Sequence, residues 1–285
     1  MATYTRANAW NNGGTFANPD LLWYAKGVGA MQARKLSDPS SWWSFAAIHG
    51  EYVTTRGFPG WAALPAPPAV PTTPQPPASI PDQYWNQCQH QSWYFLPWHR
   101  GYLLALEAQV RAAVISLGGP STWALPYWNY FGPGSEFDIP PAFTQQNLPD
   151  GSPNPLYVTA RYGPDSNGKI YVPTPAGIQQ HPNEPNIFPD PGPVTQDCMS
   201  DQVYAGANNG IPPEFGGPET GFWHGEGTSG DLESNPHNLV HVYVGEGSPD
   251  LRIAGRPAKR YLAASQRDFG GSVWESNPYT FPLSY

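Results

Sequence analysis

Apolar residues recur at helical spacing in three stretches of the first half of the chain. The first begins at Asn18-Pro19-Asp20, because asparagine can cap a helix and proline suits its first turn. The second is started by Asp38-Pro39-Ser40 and runs from Ser41 to His49. The third opens at Pro97 and stops at Gly118-Gly119-Pro120, and its apolar stripe consists of Leu103, Leu106, Val110 and Val114. These patterns predict three helices and a mainly α fold.

The segments between and after these helices are rich in proline and glycine, with 36 prolines and 30 glycines in the whole chain. Residues 57–81 form a proline-rich stretch, which we expect to wrap the surface and to bring Cys88 back beside His49. Residues 131–222 lack periodicity, which predicts ordered loops with at most a short strand at Ile170-Tyr171-Val172 and leaves His181 in solvent. We therefore expect a helical bundle with long Pro/Gly-rich loops.

The composition restricts the class of partner. At 285 residues the chain can bury a large core, and its net charge of −8 argues against a nucleic acid held through phosphate contacts. No apolar run is long enough to cross a bilayer. Two cysteines are too few for a disulfide framework, and the N-terminus lacks the pattern of a secretory signal. We therefore expect a cytoplasmic protein without a nucleic-acid or membrane partner.

A fourth helix is predicted from Asn235, which can cap it, and from Pro236, which suits its first position. His237 and His241 are four residues apart, so both imidazoles lie on one face and can reach one ion. Asn238 occupies the position where zinc proteases of the HExxH type carry their catalytic glutamate, which argues against a zinc hydrolase.

Three further histidines lie on or beside the predicted helices. His49 ends the second helix, and His90 and His99 lie before and at the start of the third. Any one of them alone is more simply explained as a hydrogen-bonded core residue. Together with His237 and His241 they indicate a site for two facing metal ions. Neutral imidazole suits copper, zinc, iron and nickel, and the affinity order favours copper.

The chain resembles the tyrosinase and polyphenol oxidase family of binuclear type-3 copper proteins. The copper A motif of that family is matched by His49 and by the segment from Cys88 to Arg100, CQHQSWYFLPWHR. The start of its copper B motif is matched by Pro236-His237-Asn238-Leu239-Val240-His241. Further matches are Glu107 and the segment Leu125-Pro126-Tyr127-Trp128.

This likeness predicts a domain organisation. Residues 1–245 are expected to form a tyrosinase-like central copper domain, because the likeness runs from about residue 5 to about residue 245. Residues 246–285 do not match the family, and we expect them to be either packed on the same domain or disordered.

The resemblance implies a helical bundle around two copper ions and an oxidoreductase, a tyrosinase-like or catechol oxidase-like phenol oxidase. Copper A would be held by His49, His90 and His99, and copper B by His237, His241 and an unidentified ligand. The substrates would be O2 and a small phenol. As a monooxygenase the protein would hydroxylate monophenols, and as an oxidase it would convert o-diphenols to o-quinones.

The resemblance also implies roles for four residues around the metal ligands. Cys88 is similar to a cysteine that forms a thioether bond with a ligand histidine, here His90, although a plain buried thiol is the alternative. Glu233 and Asn238 are similar to a pair that orders a water molecule, which takes the proton from the incoming phenol. Both could equally be residues of a helix start. Val242 matches a position at the mouth of the substrate site.

The chain departs from the family pattern after the start of the copper B motif. The family supplies a third copper B histidine downstream, whereas no histidine follows His241 in this chain. His224 is the nearest other imidazole that could replace it. Two alternatives therefore stay open: a degenerate or truncated homologue with an incomplete copper B site, and a haemocyanin-like oxygen binder.

Overall fold

A computed structural model describes residues 4–49, 73–85, 87–157, 171–181, 192–206, 214–221 and 228–240. Within these ranges the secondary structure is helical, and strand-like pairing is limited to isolated bridges. This confirms the prediction of a mainly α fold. The α-helices are α1 (Pro19–Gln32), α2 (Trp42–His49), α3 (Ser79–Tyr84), α4 (Phe95–Ser116) and α5 (Pro175–Gln180). Short 3-10 turns span Asn11–Gly14, Pro141–Phe143 and Asp197–Ser200.

The caps of α1 and α4 follow the sequence signals. The side chain of Asn18 accepts a hydrogen bond from the Asp20 backbone N–H at the start of α1, as predicted. Helix α4 ends at Ser116, and Gly118 then adopts a positive φ of 84°, a conformation that favours glycine. Helix α4 therefore has the extent that its start and stop signals predict, to within about two residues, and α1 starts where predicted.

Helix α2 begins one residue later than the sequence indicated. The Asp38 carboxylate accepts hydrogen bonds from the backbone N–H and the hydroxyl of Ser40, which makes a tight turn before the helix. The Ser41 hydroxyl then accepts from the Ser44 N–H at 3.0 Å and caps the helix, whose first residue is Trp42. The predicted helix from Ser41 to His49 is therefore confirmed to within one residue at its start.

The core forms where α1 packs against α4. Gly27 permits the close approach of the two helices, because a Cβ atom at this position would lie 3.0 Å from Val110 Cγ1 and 3.2 Å from Val114 Cγ2. Tyr24 of α1 stacks in parallel on Trp123, whose indole N–H donates to the Asp20 carbonyl at 3.1 Å. The segment that follows α4 is thus folded back onto α1.

Residues 6–9 bind to the surface of this core through hydrogen bonds. The backbone of Tyr127 bonds to that of Ala7 and Ala9, with N···O distances of 2.9 and 2.7 Å. The buried Glu107 carboxylate of α4 accepts from Arg6 Nε at 2.7 Å and also pairs with Arg111. The N-terminal segment, α4 and the Trp123–Tyr130 region are therefore held together around one carboxylate.

Residues 231–240 form a helical segment that Asn235 interrupts. Asn235 has extended backbone angles (φ −151°, ψ 116°), and a wide π-type turn spans Glu233–Asn238. The prediction that the Asn235 side chain caps this helix is wrong. The side chain bonds to the preceding loop instead, accepting from the Thr195 N–H at 2.9 Å and donating to the Pro193 carbonyl at 3.1 Å.

Two predictions on the loops are corrected. Tyr171 makes only an isolated antiparallel bridge with Asp138, and Ile170 lies outside the described residues, so no strand is seen at this point. His181 is not surrounded by solvent, because it stacks on Tyr171 at 4.2 Å and bonds to the Asp138 carboxylate at 3.0 Å. None of the helices in the described part of the chain is both long and apolar enough to cross a membrane.

Candidate metal centre

Residues 87–102, which carry His90 and His99, are positioned by two hydrogen bonds to α2. The Tyr102 hydroxyl of α4 donates to the Phe45 carbonyl at 2.6 Å, which fastens α4 to α2. The Gln87 N–H donates to the Ile48 carbonyl at 2.9 Å. This contact places Cys88 directly beside His49, as predicted for the return of the proline-rich stretch.

Four of the predicted histidines meet in one buried cluster. His49 Nε2 lies 3.3 Å from His99 Nε2, and the His90 and His99 rings are 5.3 Å apart between centroids. The His237 ring, which comes from a segment far along the chain, is 5.9 Å from both His90 and His99. Three of the four side chains are almost fully buried, namely His49, His99 and His237.

Burial keeps these imidazoles uncharged. It lowers the pKa of His49 and of His237 to about 3 and that of His99 well below its usual range. The three rings are therefore neutral at pH 7 and can offer a lone pair to a metal ion.

The second ring nitrogen of two histidines is occupied by an acceptor within the chain. His99 Nδ1–H donates to the Phe95 carbonyl at 2.7 Å, and His237 Nδ1–H donates to Asn238 Oδ1 at 2.9 Å. Metal-bound histidines make this kind of contact, because it fixes the tautomer and directs Nε2 at the ion. The residues present therefore fit a metal centre in both burial and orientation.

The donor atoms of the cluster fall into two groups of three that share His99. The first group consists of His49, Cys88 and His99, and the second of His90, His99 and His237. Within each group all donor atoms lie within 4.8 Å of one another. The sequence had placed His49, His90 and His99 on one ion. That division of ligands stays a prediction.

The sulfur of Cys88 lies among the rings of His49, His90 and His99. Cys88 Sγ is fully buried, 3.2 Å from His49 Nε2 and 3.1 Å from His99 Nε2. It is also 3.5 and 3.7 Å from the two ring nitrogens of His90. Because Cε1 is the ring atom between those nitrogens, the sulfur faces the carbon that a thioether bond would use.

Glu233 connects the two halves of the cluster. Its Oε2 accepts the Gln91 N–H at 2.7 Å, directly after His90, while its own helical segment carries His237. Gln91 has a φ of 57°, so this contact holds a left-handed residue next to a predicted ligand. Burial raises the pKa of Glu233 to about 8. Within the described residues its Oε1 is buried without a hydrogen-bond partner.

Phe95 also contributes to the site, a contact that was not predicted from the sequence. This buried ring lies 4.6 Å from the rings of both His99 and His237 and 5.9 Å from that of His90. It thus contacts histidine rings from two distant parts of the chain, residues 87–102 and residues 231–240. Phe95 precedes His99 by four residues on the same helix, a spacing that places both on one face and could have revealed the contact.

Three predicted site residues lie outside the described residues. They are His241 and Val242, which follow directly after Val240, and His224. His181 is described, but it belongs to the separate contact with Asp138 and Tyr171.

The family model described as the common central domain of tyrosinase matches residues 39–268. This match extends past residue 245, and the predicted domain boundary there stays a prediction. A tyrosinase from Hahella sp. (strain CCB-MM4) is 35% identical over 243 residues, which are 81% of this chain and 46% of that protein. A chloroplastic polyphenol oxidase from Vitis vinifera is 33% identical over 159 residues, 55% of this chain and 23% of that protein.

Solved structures show the same fold. A latent aurone synthase (polyphenol oxidase) covers the whole chain with a TM-score of 0.55 and 22% identity, and the match spans 46% of its own length. A latent apple tyrosinase covers 99% of the chain with a TM-score of 0.52 and 20% identity, over 50% of its own length. The chain thus spans half or less of the length of these relatives.

The family uses two copper ions, and the histidine groups of this chain are of the kind that can hold metal. The resemblance inferred from the copper A and copper B motifs is confirmed by the family match. The tyrosinase-like helical fold is confirmed by the structural neighbours. The family model covers most of the sequence, and the chain therefore belongs to the tyrosinase family.

Proposed function

We propose that the chain is a copper-dependent phenol oxidase that uses O2 to hydroxylate monophenols, to oxidise o-diphenols to o-quinones, or both. The observation that carries this proposal is the buried convergence of His49, His90, His99 and His237. Neutral imidazoles with a preset tautomer are ligands for a redox metal. The names of the relatives, tyrosinase and polyphenol oxidase, support a phenolic substrate.

We assign copper A to His49, His90 and His99, and copper B to His237, His241 and a further ligand. Two bound copper ions supply the electrons that O2 needs before it can react with a closed-shell phenol. The chain contributes a site that excludes water, since the described histidine rings are packed among Phe95, Trp98 and Tyr102. His224 is the alternative source of the further ligand.

Glu233 and Asn238 are proposed to handle the proton of the phenol through a water molecule. Glu233 is buried next to the ligand segments, and one carboxylate oxygen has no partner within the described residues. Its raised pKa belongs to the copper-free chain, and nearby copper cations would favour the ionised form that a base requires. Asn238 holds the His237 ring through Nδ1, which supports a positioning role. Val242 is proposed to contact the phenol at the mouth of the site.

The thioether bond between Cys88 and His90 is proposed as a modification of the mature protein. Its formation removes one hydrogen from the thiol and one from His90 Cε1, so the chain must lose two electrons to an oxidant such as O2. The intact mass of copper-loaded protein should then be about 2 Da below that of the reduced chain, in the way that covalent modifications change mass. An intact mass equal to that of the reduced chain, together with complete alkylation of the Cys88 thiol, would exclude the bond.

A degenerate homologue is the second candidate, because residues 242–285 contain no histidine. Such a chain would hold copper A but lack a complete copper B site. Two ligands alone bind copper weakly, so oxidase activity would be lost while the fold was kept. An oxygen carrier is the third candidate, since a related site could bind O2 without turning over a phenol.

Copper per chain and O2 uptake with an o-diphenol separate these candidates. Elemental analysis on mass-verified protein should give two copper ions per chain, and O2 uptake should accompany quinone formation. One copper ion or none would favour the degenerate homologue. Two copper ions with reversible O2 binding and no quinone would favour the carrier.

A further inference from the structure

The sulfur of Cys88 is placed as a metal donor as well as a candidate for covalent modification. The donor atoms of Cys88, His49 and His99 form a nearly equilateral triangle, with sides of 3.1, 3.2 and 3.3 Å. All three side chains are almost fully buried. They also form one of the two three-donor groups within the described part of the chain that could hold an ion.

The size of this triangle suits a metal ion. A point equidistant from its three corners lies about 1.8 Å from each atom, compared with bond lengths of about 2.0–2.1 Å to nitrogen and about 2.3 Å to sulfur in protein zinc sites. Each donor would have to move outward by only a few tenths of an ångström. Small rotations of the side chains can provide this movement.

We propose that the reduced chain, before any bond joins Cys88 to His90, binds a copper ion through Cys88, His49 and His99. The donor set is one thiolate and two imidazoles, which is the trigonal set of copper sites with strong sulfur-to-copper bonding. The thiol releases its proton on binding, because only the thiolate is a good ligand. His90 is not a ligand in this state and stays with His99 and His237.

This site goes beyond the proposed oxidase centre, because it exists only while the sulfur is a thiol. A sulfur atom that is bonded to an imidazole carbon can no longer bind as a thiolate. The chain therefore has two exclusive uses for Cys88, and the thiolate site can bind a metal ion only before the bond to His90 forms.

Spectroscopy of metal-free, reduced protein tests this site without any measure of activity. Peptide mapping first establishes that Cys88 is an unmodified thiol. Titration with Co²⁺ should then give a sulfur-to-metal charge-transfer absorption that saturates at one ion per chain. X-ray absorption of the Cu⁺-loaded protein should show a sulfur neighbour at about 2.3 Å.

Three variants identify the donors. Cys88→Ser should abolish the charge-transfer absorption and weaken Co²⁺ binding at least about tenfold, since loss of an outer-shell partner alone costs about 10–100-fold. Cys198→Ser, which changes the second buried cysteine, should retain the absorption. His90→Ala should retain it as well. Circular dichroism of each variant shows whether it is folded, and Cys88→Ala replaces Cys88→Ser if that variant is not.

The outcomes are decisive in both directions. No sulfur signal from protein with a verified Cys88 thiol, or an equal signal from Cys88→Ser, would overturn the site. Loss of the sulfur signal in His90→Ala would also overturn it, because His90 would then be required. Diphenol oxidation by copper-loaded wild-type protein is measured separately. Absence of the sulfur signal would overturn the thiolate site without affecting the oxidase proposal, and absence of diphenol oxidation would overturn the oxidase proposal without affecting the thiolate site.

Discussion

His99 is the residue on which both donor groups depend. It belongs to the group with His49 and Cys88 and to the group with His90 and His237, and its own Nδ1 is fixed by the Phe95 carbonyl. A change at this position therefore affects both donor groups, whereas a change at His49 affects only one of them.

We predict that His99→Ala loses more copper than His49→Ala does. Elemental analysis should give less copper per chain for His99→Ala than for His49→Ala, because the His99 change removes a ligand from both donor groups. Diphenol oxidation should be abolished in His99→Ala. His181→Ala is the matched control, because that histidine bonds to Asp138 away from the cluster. Wild-type copper content in His99→Ala would contradict the ligand assignment.

Glu233 has a structural contact that competes with its proposed role as a base. Its carboxyl group accepts the Gln91 N–H, and burial raises its pKa to about 8, so the group is mostly protonated at pH 7 in the copper-free chain. Glutamine has the same shape as a protonated glutamate and keeps an acceptor for Gln91. Alanine removes this acceptor.

Glu233→Gln should therefore separate the two roles. Chemical denaturation of the copper-free protein should show a change of less than about 1 kcal/mol for Glu233→Gln and a loss of about 1–3 kcal/mol for Glu233→Ala. If Glu233 also acts as a base, kcat of copper-loaded Glu233→Gln should fall by about 10²–10⁴-fold. An unchanged kcat would leave Glu233 with the structural role alone.

At the scale of elements, the long helices were predictable because their signals are local. The Asn18 cap, the stop at Gly118 and the apolar stripe of α4 depend on residues within a few positions of one another. Asn235 shows why other predictions were wrong. Its side chain could cap a helix, but the loop at Thr195 and Pro193 takes its hydrogen bonds, and no local pattern indicates a partner 40 residues away.

The same contrast applies to the site. The histidines could be recognised from their spacing along helices, and four of them do meet. Cys88 beside His49 was also predicted, but the contact of its sulfur with His99, and the contact of Glu233 with Gln91, depend on how the segments meet in three dimensions. Sequence patterns therefore gave the donors but not their grouping.

The contact between α1 and α4 gives a prediction at the scale of elements. Gly27→Leu should destabilise the protein by about 1–3 kcal/mol or more, because the new side chain meets Val110 and Val114, while leucine itself favours a helix. Gly101→Ala is the matched control on α4, where an added Cβ has no neighbour within 4 Å. That change should stabilise by about 0.5–1 kcal/mol. Equal effects in thermal or urea unfolding would contradict the close packing at Gly27.

At the scale of the whole molecule, the metal centre joins segments that are distant in the sequence. His49 ends α2, His90 precedes α4, His99 lies in its first turns, and His237 belongs to the segment at 231–240. Glu233, the ring of Phe95 and the ring of His237 itself provide side-chain contacts between the last of these segments and the others. Bound copper would add bonds between the same segments.

Removal of copper should therefore lower the stability of the whole fold. An ion that binds only the folded chain stabilises it by RT ln(1 + [L]/Kd), which is about 2.7 kcal/mol at one hundred times Kd. We expect chelation to lower Tm and to increase hydrogen exchange in residues 228–240 more than in α1, because α1 is held by the apolar contact with α4. Restoring copper should reverse both effects in the wild type but not in His99→Ala. If chelation left Tm unchanged in protein that had held two copper ions, the metal would not join these segments, and the fold would be complete without it.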